Sequence, residues 1–272
     1  MSYPPAYLEI QVTFARRLAE LTGQPFQESV LHNTALYRIL GLDWSLDQHH
    51  PVWRSFIAAL QGDGTGFEAA YGLYAERHAQ GLIPDYVTGR PHWGCFFYEY
   101  HPEPRVVRLH FANLDTTGAG PLSSQRQETR RAELQAMFAH IHREHPAAKL
   151  VKGGSWLYNR TEYQRLFPPQ YCASAQVDHP HLIARVLWGQ FLRHGNRLNE
   201  DVAAQFLARV VELRDPAQYA SCFPYQNLLT EASIQLFYAH YGISDGRIAH
   251  VPVHRTTAVR QPSWLSMSAG PI

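Results

Sequence analysis

Residues that could do chemistry gather directly after a predicted strand that ends in Gly153 and Gly154. Lys152 precedes the two glycines, and Ser155 and Tyr158 follow them. Glycine lets a ligand approach the backbone closely, and sites in α/β folds gather at strand ends. We therefore expect this strand end, Ser155 included, to face a bound donor, with Tyr158 as a proton donor.

A hydrolase elbow is not expected at Ser155. The segment GGSWL at 153–157 supplies the first glycine and the serine of the Gly-x-Ser-x-Gly pattern, but Leu157 stands where the second glycine belongs.

A carboxylate on a predicted β-hairpin is the candidate general base. The segments CFFYEYH and RVVRLHFAN alternate and are rich in aromatic and β-branched residues, and PEP joins them. Glu99 lies on the first of these strands, where it could take a proton from an amine. The alternative is that Glu99 and its aromatic neighbours are ordinary residues of the sheet.

Two arginines near the start of a long helix are candidate anion ligands. Arg126 and Arg130 are four residues apart and share one helical face, and Lys152 could join them at the same cleft. The alternative is a solvated helix face on which Glu128 and Glu133 pair with the arginines.

The segment QGDGTG at 61–66 fits the Gln-x-x-Gly-x-Gly pattern of a phosphate loop. Its Gly64 and Gly66 would let backbone N–H groups approach a pyrophosphate at the start of the following helix. The segment follows a predicted helix rather than a strand, so a plain helix-to-helix turn is the alternative.

Histidine clusters raise the question of a metal. The alternation of Asp178, His179 and His181 would direct both imidazoles to one side of an extended segment, and His110 could join them. Asp178 could equally be the cap of a helix that begins after Pro180. In HIHREH at 140–145 three ligands cannot converge from one helix. Our leading interpretation has no metal.

Composition excludes several classes of protein. The chain has 272 residues, of which 45% are hydrophobic and 17% charged, a formal net charge of +1 and three widely spaced cysteines. The charge gives no strong field for nucleic acid, and the cysteines favour neither a disulfide framework nor a cysteine zinc site. The first residues do not form a signal peptide, and no segment could span a bilayer. We expect a cytoplasmic protein without a nucleic-acid or membrane partner.

Periodicity predicts an α/β protein with helices at both ends. Helical patterns cover 6–22, 26–41, 51–62 and 67–81, and the middle alternates strands with helices. After the hairpin we expect a helix at 120–146, a strand at 148–154, a short helix at 161–168 and a strand at 171–177. The segments 199–214 and 228–242 are predicted helices. This divides the chain into a helical segment at 1–90, an α/β domain at 91–254 and a tail or strap at 255–272.

The central motifs carry a resemblance. A strand ends in His110, GPL at 120–122 precedes the long helix, and SWL at 155–157 follows the next strand. In this order of motifs, residues 105–168 resemble the C-terminal GNAT-like domain of bacterial acyltransferase-like proteins. The residue before Ser-Trp is often histidine in those relatives and is Gly154 here, so a base at that position is not carried over.

The resemblance implies a mixed sheet of the GNAT type and acyl-CoA as co-substrate. With it, the expected function is an acyl-CoA-dependent N-acyltransferase for a small amine or amino-acid-like substrate, with Glu99 as base and Tyr158 protonating the leaving thiolate. Two alternatives stay open: a non-catalytic GNAT-like binding or regulatory protein, and a metal-dependent enzyme. The acceptor, the acyl group and the oligomeric state are not determined by the sequence.

Overall fold

The computed structural model describes residues 2–62, 66–84, 90–115, 118–178, 182 and 185–244. Gly64, His179, His181 and the predicted tail at 255–272 lie outside the described residues. The expectations attached to them therefore stay predictions.

The N-terminal segment is helical, as its periodicity indicates. Its helices are α1 (Pro5–Thr22), α2 (Phe26–Asn33), α3 (Leu36–Ile39), α4 (Pro51–Gln61) and α5 (Gly66–Ala79). The single helix expected over 26–41 is wrong, because the chain is extended at Thr34. The Thr34 hydroxyl donates to the Val30 carbonyl at 2.6 Å, and Gln11 Oε1 of α1 accepts the Ala35 N–H at 2.9 Å. These bonds replace the helical hydrogen bonds at this point.

A five-stranded mixed sheet follows, in the order β1-β2-β3-β5-β4. The strands are β1 (Phe96–His101), β2 (Val106–Phe111), β3 (Leu150–Ser155), β4 (Gln176–Asp178) and β5 (Asn227–Ser233). β2 and β3 are parallel, and every other pair of neighbours is antiparallel. The expected α/β class with a mixed sheet and flanking helices is confirmed. Its assignment to the GNAT type remains an expectation.

Helices connect and cover the strands. They are α6 (Gln127–Glu144), α7 (Thr161–Gln164), α8 (Pro169–Ala173), α9 (Arg185–Trp188), α10 (Glu200–Glu212) and α11 (Ile234–Tyr241). α6 is the crossover between the parallel strands β2 and β3, which is the connection that a parallel pair requires.

Two hydrophobic cores divide the molecule. The sheet core contains residues of β1 to β3 together with α6, α7, α8 and α11. The helical core contains α1 to α5 and also buried residues between Leu182 and Phe223, among them Trp188 and Phe206. The C-terminal half of the chain therefore completes the core of the N-terminal helices. The domain boundaries proposed from the sequence stay a prediction.

Two sequence-based elements are wrong in part. Residues 228–242 were expected to form one helix, but their first half belongs to β5, and α11 begins only after Ser233. Ser233 accepts the Gln235 N–H at 3.3 Å as the helix cap. β5 pairs with β3 on one side and β4 on the other, and these ladder hydrogen bonds override local helix propensity. Residues 171–177, expected as a strand, end α8 and begin β4.

Gly153 is required by close packing inside the sheet core. A Cβ atom there would lie 2.1 Å from the Tyr158 hydroxyl and 2.3 Å from the Tyr171 hydroxyl. The two hydroxyls are hydrogen bonded to each other at 2.8 Å. The close approach expected at this glycine is therefore made by two tyrosines of the chain itself.

We expect Gly153→Ala to lower the free energy of unfolding by about 1–3 kcal/mol, because the added methyl group overpacks a closed site. Gly154→Ala is the matched control: its Cβ would meet the flexible Leu229 side chain at 3.0 Å and Asn227 Nδ2 at an ordinary 4.0 Å. Denaturant unfolding of both variants checks the difference. Equal stabilities would contradict this account of Gly153.

Candidate functional site

One face of the sheet is open to solvent. The strand register places five exposed residues on this face: Arg108, Lys152, Gly154, Leu229 and Glu231. We call it the open face. The opposite face carries Val107, Leu109 and Val151, which are buried in the sheet core with residues of α6 and α11.

Glu99 and His110 form an ion-pair contact on the hairpin side of the open face. Glu99 Oε2 lies 3.3 Å from His110 Nε2, and Glu99 Oε1 lies 2.5 Å from Arg90 Nη1. The His110 ring stacks on Phe97, with ring centroids 4.8 Å apart and planes inclined by 10°. A carboxylate and an aromatic ring therefore fix the orientation of the imidazole.

Glu99 is ionised near neutral pH, because its hydrogen-bond partners lower its pKa. Its hydrogen bond with His110, supported by the bond from Arg90, lowers the pKa of Glu99 to about 2 although burial acts in the opposite direction. A carboxylate with so low a pKa is a weak proton acceptor. It is suited to orient His110 and to stabilise the imidazolium form.

An exposed glycine, Gly154, adjoins His110 on the neighbouring strand. Leu109 is opposite Gly153 in the parallel register, so the next residues, His110 and Gly154, are neighbours on the open face. Gly154 is exposed, and a Cβ built on it would lie 4.0 Å from Asn227 Nδ2. The Leu229 side chain lies over the same glycine, with its Cδ2 atom 3.0 Å from that Cβ position, so a small molecule bound between His110 and Asn227, at the carboxyl end of β2 and β3, would contact Leu229.

The other expected catalytic residues are placed apart from Glu99. Ser155 ends β3, and its hydroxyl accepts the Leu157 N–H at 3.1 Å, which caps the short 3₁₀ helix that follows. Tyr158 is 2% exposed, and its hydroxyl packs on Gly153 in the sheet core. Burial raises the pKa of Tyr158 to about 12. Glu99 and the Tyr158 hydroxyl therefore lie on opposite faces of the sheet.

Arg126 and Arg130 hold an acid of the chain itself. Both lie within 2.7 Å of Asp115 Oδ2, and Arg130 also reaches Glu133 at 3.0 Å. Arg130 also contacts the Cys95 sulfur. Burial is the main cause that raises the pKa of the Glu133 carboxyl and of the Cys95 thiol. The arginines join the loop after β2 to α6.

The other residues that were expected to bind the cofactor do not lie together in the structure. Lys152 is on the open face, 2.9 Å from Glu231. Gly66 begins α5, where a Cβ would lie 2.5 Å from the Ala59 carbonyl of α4. Gly66 thus serves a tight helix-to-helix contact in the helical core, whereas Gly153 lies in the sheet core.

The metal hypothesis is tested only in part. Within the described ranges, no group of three or more histidine, cysteine, aspartate or glutamate side chains could hold a metal ion. His179 and His181 are outside those ranges, so their contribution stays untested.

A separate groove of about 720 Å³ lies between α2 and α4. Leu31, Trp53 and Ile57 contribute buried side chains to it, and Gln61 lies at its margin. The groove contains none of the expected catalytic residues, so its size alone does not make it the functional site.

The pairing of Glu99 with His110 was missed by the sequence analysis. The signal was present in the hairpin pattern, since pairing the two strands across PEP brings Phe97 opposite His110 and Glu99 opposite Arg108. Asn227 was missed for another reason, because its strand was taken for part of a helix.

Comparison of the chain with protein-family models, curated proteins and solved structures gave no significant match. The GNAT resemblance is therefore neither supported nor contradicted by relatives. Among the helices that could be described, none is both long and apolar enough to cross a membrane.

We expect Glu99→Gln to lower the free energy of unfolding by about 1 kcal/mol at pH 7, a value reduced for screening because the side chain is 36% exposed. The native pKa is depressed, so this stabilisation exists above the unfolded pKa of 4.5 and is lost as pH falls towards about 2. Urea unfolding at pH 7, 4.5 and 3.5 should show a shrinking difference between the two proteins. Glu28→Gln, an exposed carboxylate of α2, is the control. A Glu99 difference independent of pH would contradict the assignment.

Removal of Asp115 should be far more costly than removal of an exposed acid. Asp115→Ala leaves the buried Arg130 with Glu133 as its remaining carboxylate partner, and we expect a loss of about 3 kcal/mol in unfolding free energy. Glu231→Gln breaks the exposed pair with Lys152 and should cost less than about 1 kcal/mol. Chemical unfolding of both variants checks the contrast, and similar losses would show that the Asp115 cluster is not structural.

Proposed function

We propose that this chain is an acyl-CoA-dependent N-acyltransferase that acts on a small amine or amino-acid-like substrate. The observation that carries the proposal is the Glu99–His110 contact beside the exposed Gly154. The pair offers an oriented imidazole at the carboxyl end of two parallel strands, where ligands bind in open α/β sheets.

His110 takes the role of base in the proposed reaction. The substrate nitrogen attacks the thioester carbonyl carbon, the new C–N bond forms, and the C–S bond breaks with coenzyme A as leaving group. The proton of the amine passes to His110, and the sulfur of coenzyme A leaves as a thiolate that takes a proton from solvent or from His110. Glu99, with its pKa of about 2, stabilises the protonated imidazole.

The donor is assigned to the loop between β2 and α6. Gly118 and Gly120 lie in this loop, and a Cβ on either would meet nothing within 4 Å. Their backbone is therefore accessible, and the loop leads through a 3₁₀ turn, Ser124–Arg126, into α6, whose N-terminal N–H groups favour a pyrophosphate. Arg126 contributes positive charge at the same end of α6, with a quarter of its side chain exposed.

Binding of acyl-CoA is the first test. Acetyl-CoA and longer acyl-CoAs at known concentration should raise the melting temperature of the full chain by mass action. Free adenine and pantothenate, which are fragments of coenzyme A, are the controls. A melting temperature that does not change with any acyl-CoA would contradict the proposal.

His110→Gln tests the assigned base. We expect the rate of thiol release with a panel of primary amines to fall by about 10²–10⁴-fold, the usual contribution of a general base, while acyl-CoA binding persists. Glu28→Gln on the distant α2 should leave the rate unchanged. An undiminished rate in the His110 variant would remove His110 from the mechanism.

A further inference from the structure

The groove between α2 and α4 has its own set of hydrogen-bonding side chains. Its volume of about 720 Å³ is within the range of ligand sites in proteins. Leu31, Trp53 and Ile57 contribute buried apolar side chains to it. Its exposed polar residues are Gln27, Gln48, His49, Arg54, Ser55 and Gln61. One concave surface thus combines apolar side chains with hydrogen-bond donors and acceptors.

Arg54 gives the groove a positive charge without a counter-ion. Its exposed side chain makes no ion pair and no hydrogen bond with any described residue. Among the described residues that line the groove there is no aspartate or glutamate. The acids of the adjoining loop, Asp43 and Asp47, accept the backbone N–H groups of Ser45 and His49 at 2.9 and 2.8 Å. The charge of the groove is therefore complementary to a carboxylate.

Glutamine amides favour a peptide as the bearer of that carboxylate. Gln27 and Gln61 make no side-chain hydrogen bond with the part of the chain that the structure describes. Each amide offers donors and an acceptor, which match the C=O and N–H of a peptide group. α4 lines the groove from Pro51 to Gln61, a distance of about 15 Å along a helix, which equals about four residues of an extended chain. The groove therefore fits a short extended segment.

The loop that joins α3 to α4 adds a feature of protein-binding surfaces. Trp44 in this loop is 62% exposed, and the Arg38 Cζ atom lies 4.3 Å from the centroid of its ring. Tryptophan and arginine are enriched among the residues that contribute most to protein–protein binding. The Tyr37 hydroxyl accepts the Asp47 N–H at 3.1 Å and so fixes the loop. The same loop supplies two of the polar residues of the groove.

From these observations we propose that the groove between α2 and α4 binds an extended, acidic peptide segment of a protein partner. Arg54 binds the aspartate or glutamate side chain of the segment, and Gln27 and Gln61 bind its peptide groups. The inference is independent of the proposed acyl transfer, because the groove contains none of the residues assigned to that reaction.

A peptide array incubated with the labelled full chain tests the inference. The probes are acetylated and amidated pentapeptides that vary at the flanking positions and have glutamate or aspartate at the centre. Each has a twin with glutamine or asparagine there. We expect a subset of the acidic peptides to bind at least about tenfold more tightly than their twins, because a charge-assisted hydrogen bond is lost in the twin. An array on which no peptide binds, or on which the twins bind equally, would overturn the proposal.

Arg54→Gln is the decisive variant. The side chain is exposed and has no partner among the described residues, so an unchanged melting temperature is expected. The variant should lose the preference for the acidic peptides. Arg143→Gln, which removes an exposed arginine of α6, is the control and should retain it. A preference that survives in the Arg54 variant would contradict the assignment.

Competition with glutarate separates a peptide site from a site for a small acid. Glutarate has the carboxylate of the peptides but no peptide group for Gln27 and Gln61 to bind. We expect it to displace a bound peptide only at concentrations at least about tenfold above those at which the unlabelled peptide does so. Equal potency of glutarate would assign the groove to a small carboxylate and overturn the peptide proposal.

Discussion

The buried charge of Arg130 is the constraint on which the position of the hairpin depends. Its side chain is 2% exposed, and burial of a guanidinium is costly unless its charge is paired. Asp115 and Glu133 supply the charge, and Glu133 also accepts the backbone N–H of Cys95 at 3.1 Å. One cation thus joins the start of β1, the loop after β2 and the first turns of α6. These are the parts of the chain that carry Glu99 and His110 or flank them.

The two faces of the sheet serve different purposes. On the covered face, Gly153 makes room for the hydroxyls of Tyr158 and Tyr171, whose burial raises their pKa values and keeps them neutral. On the open face, the adjacent Gly154 lies beside His110 and under the flexible Leu229 side chain. Because successive residues of a strand point to opposite faces, two neighbouring glycines can be needed for unrelated reasons.

A buried glutamine beside the helical core holds the chain that leads into β5. Gln190 is fully buried, and its amide oxygen accepts the Tyr225 N–H at 2.9 Å while its amide nitrogen donates to the Tyr225 carbonyl at 3.2 Å. Tyr225 also stacks on Trp156, with centroids 5.7 Å apart. These contacts fix the backbone two residues before Asn227. The helices therefore help to position β5 and, with it, the Asn227–Asp178 pair.

Residue patterns are enough to predict the elements whose signal is local. Neighbouring residues carry the signal for the amphipathic helices α1, α4 and α10 and for the alternating strands β1 and β2. The mixed α/β class follows from the order of these elements. That residues 227–233 form an inner strand depends on long-range pairing, since their ladder partners are 49 to 83 residues away. Long-range contacts also bring Arg126 and Arg130 to Asp115, and Glu99 to His110. Each of these depends on which charges and hydrogen-bonding groups folding brings within 3 Å or so, and local sequence spacing does not contain that information.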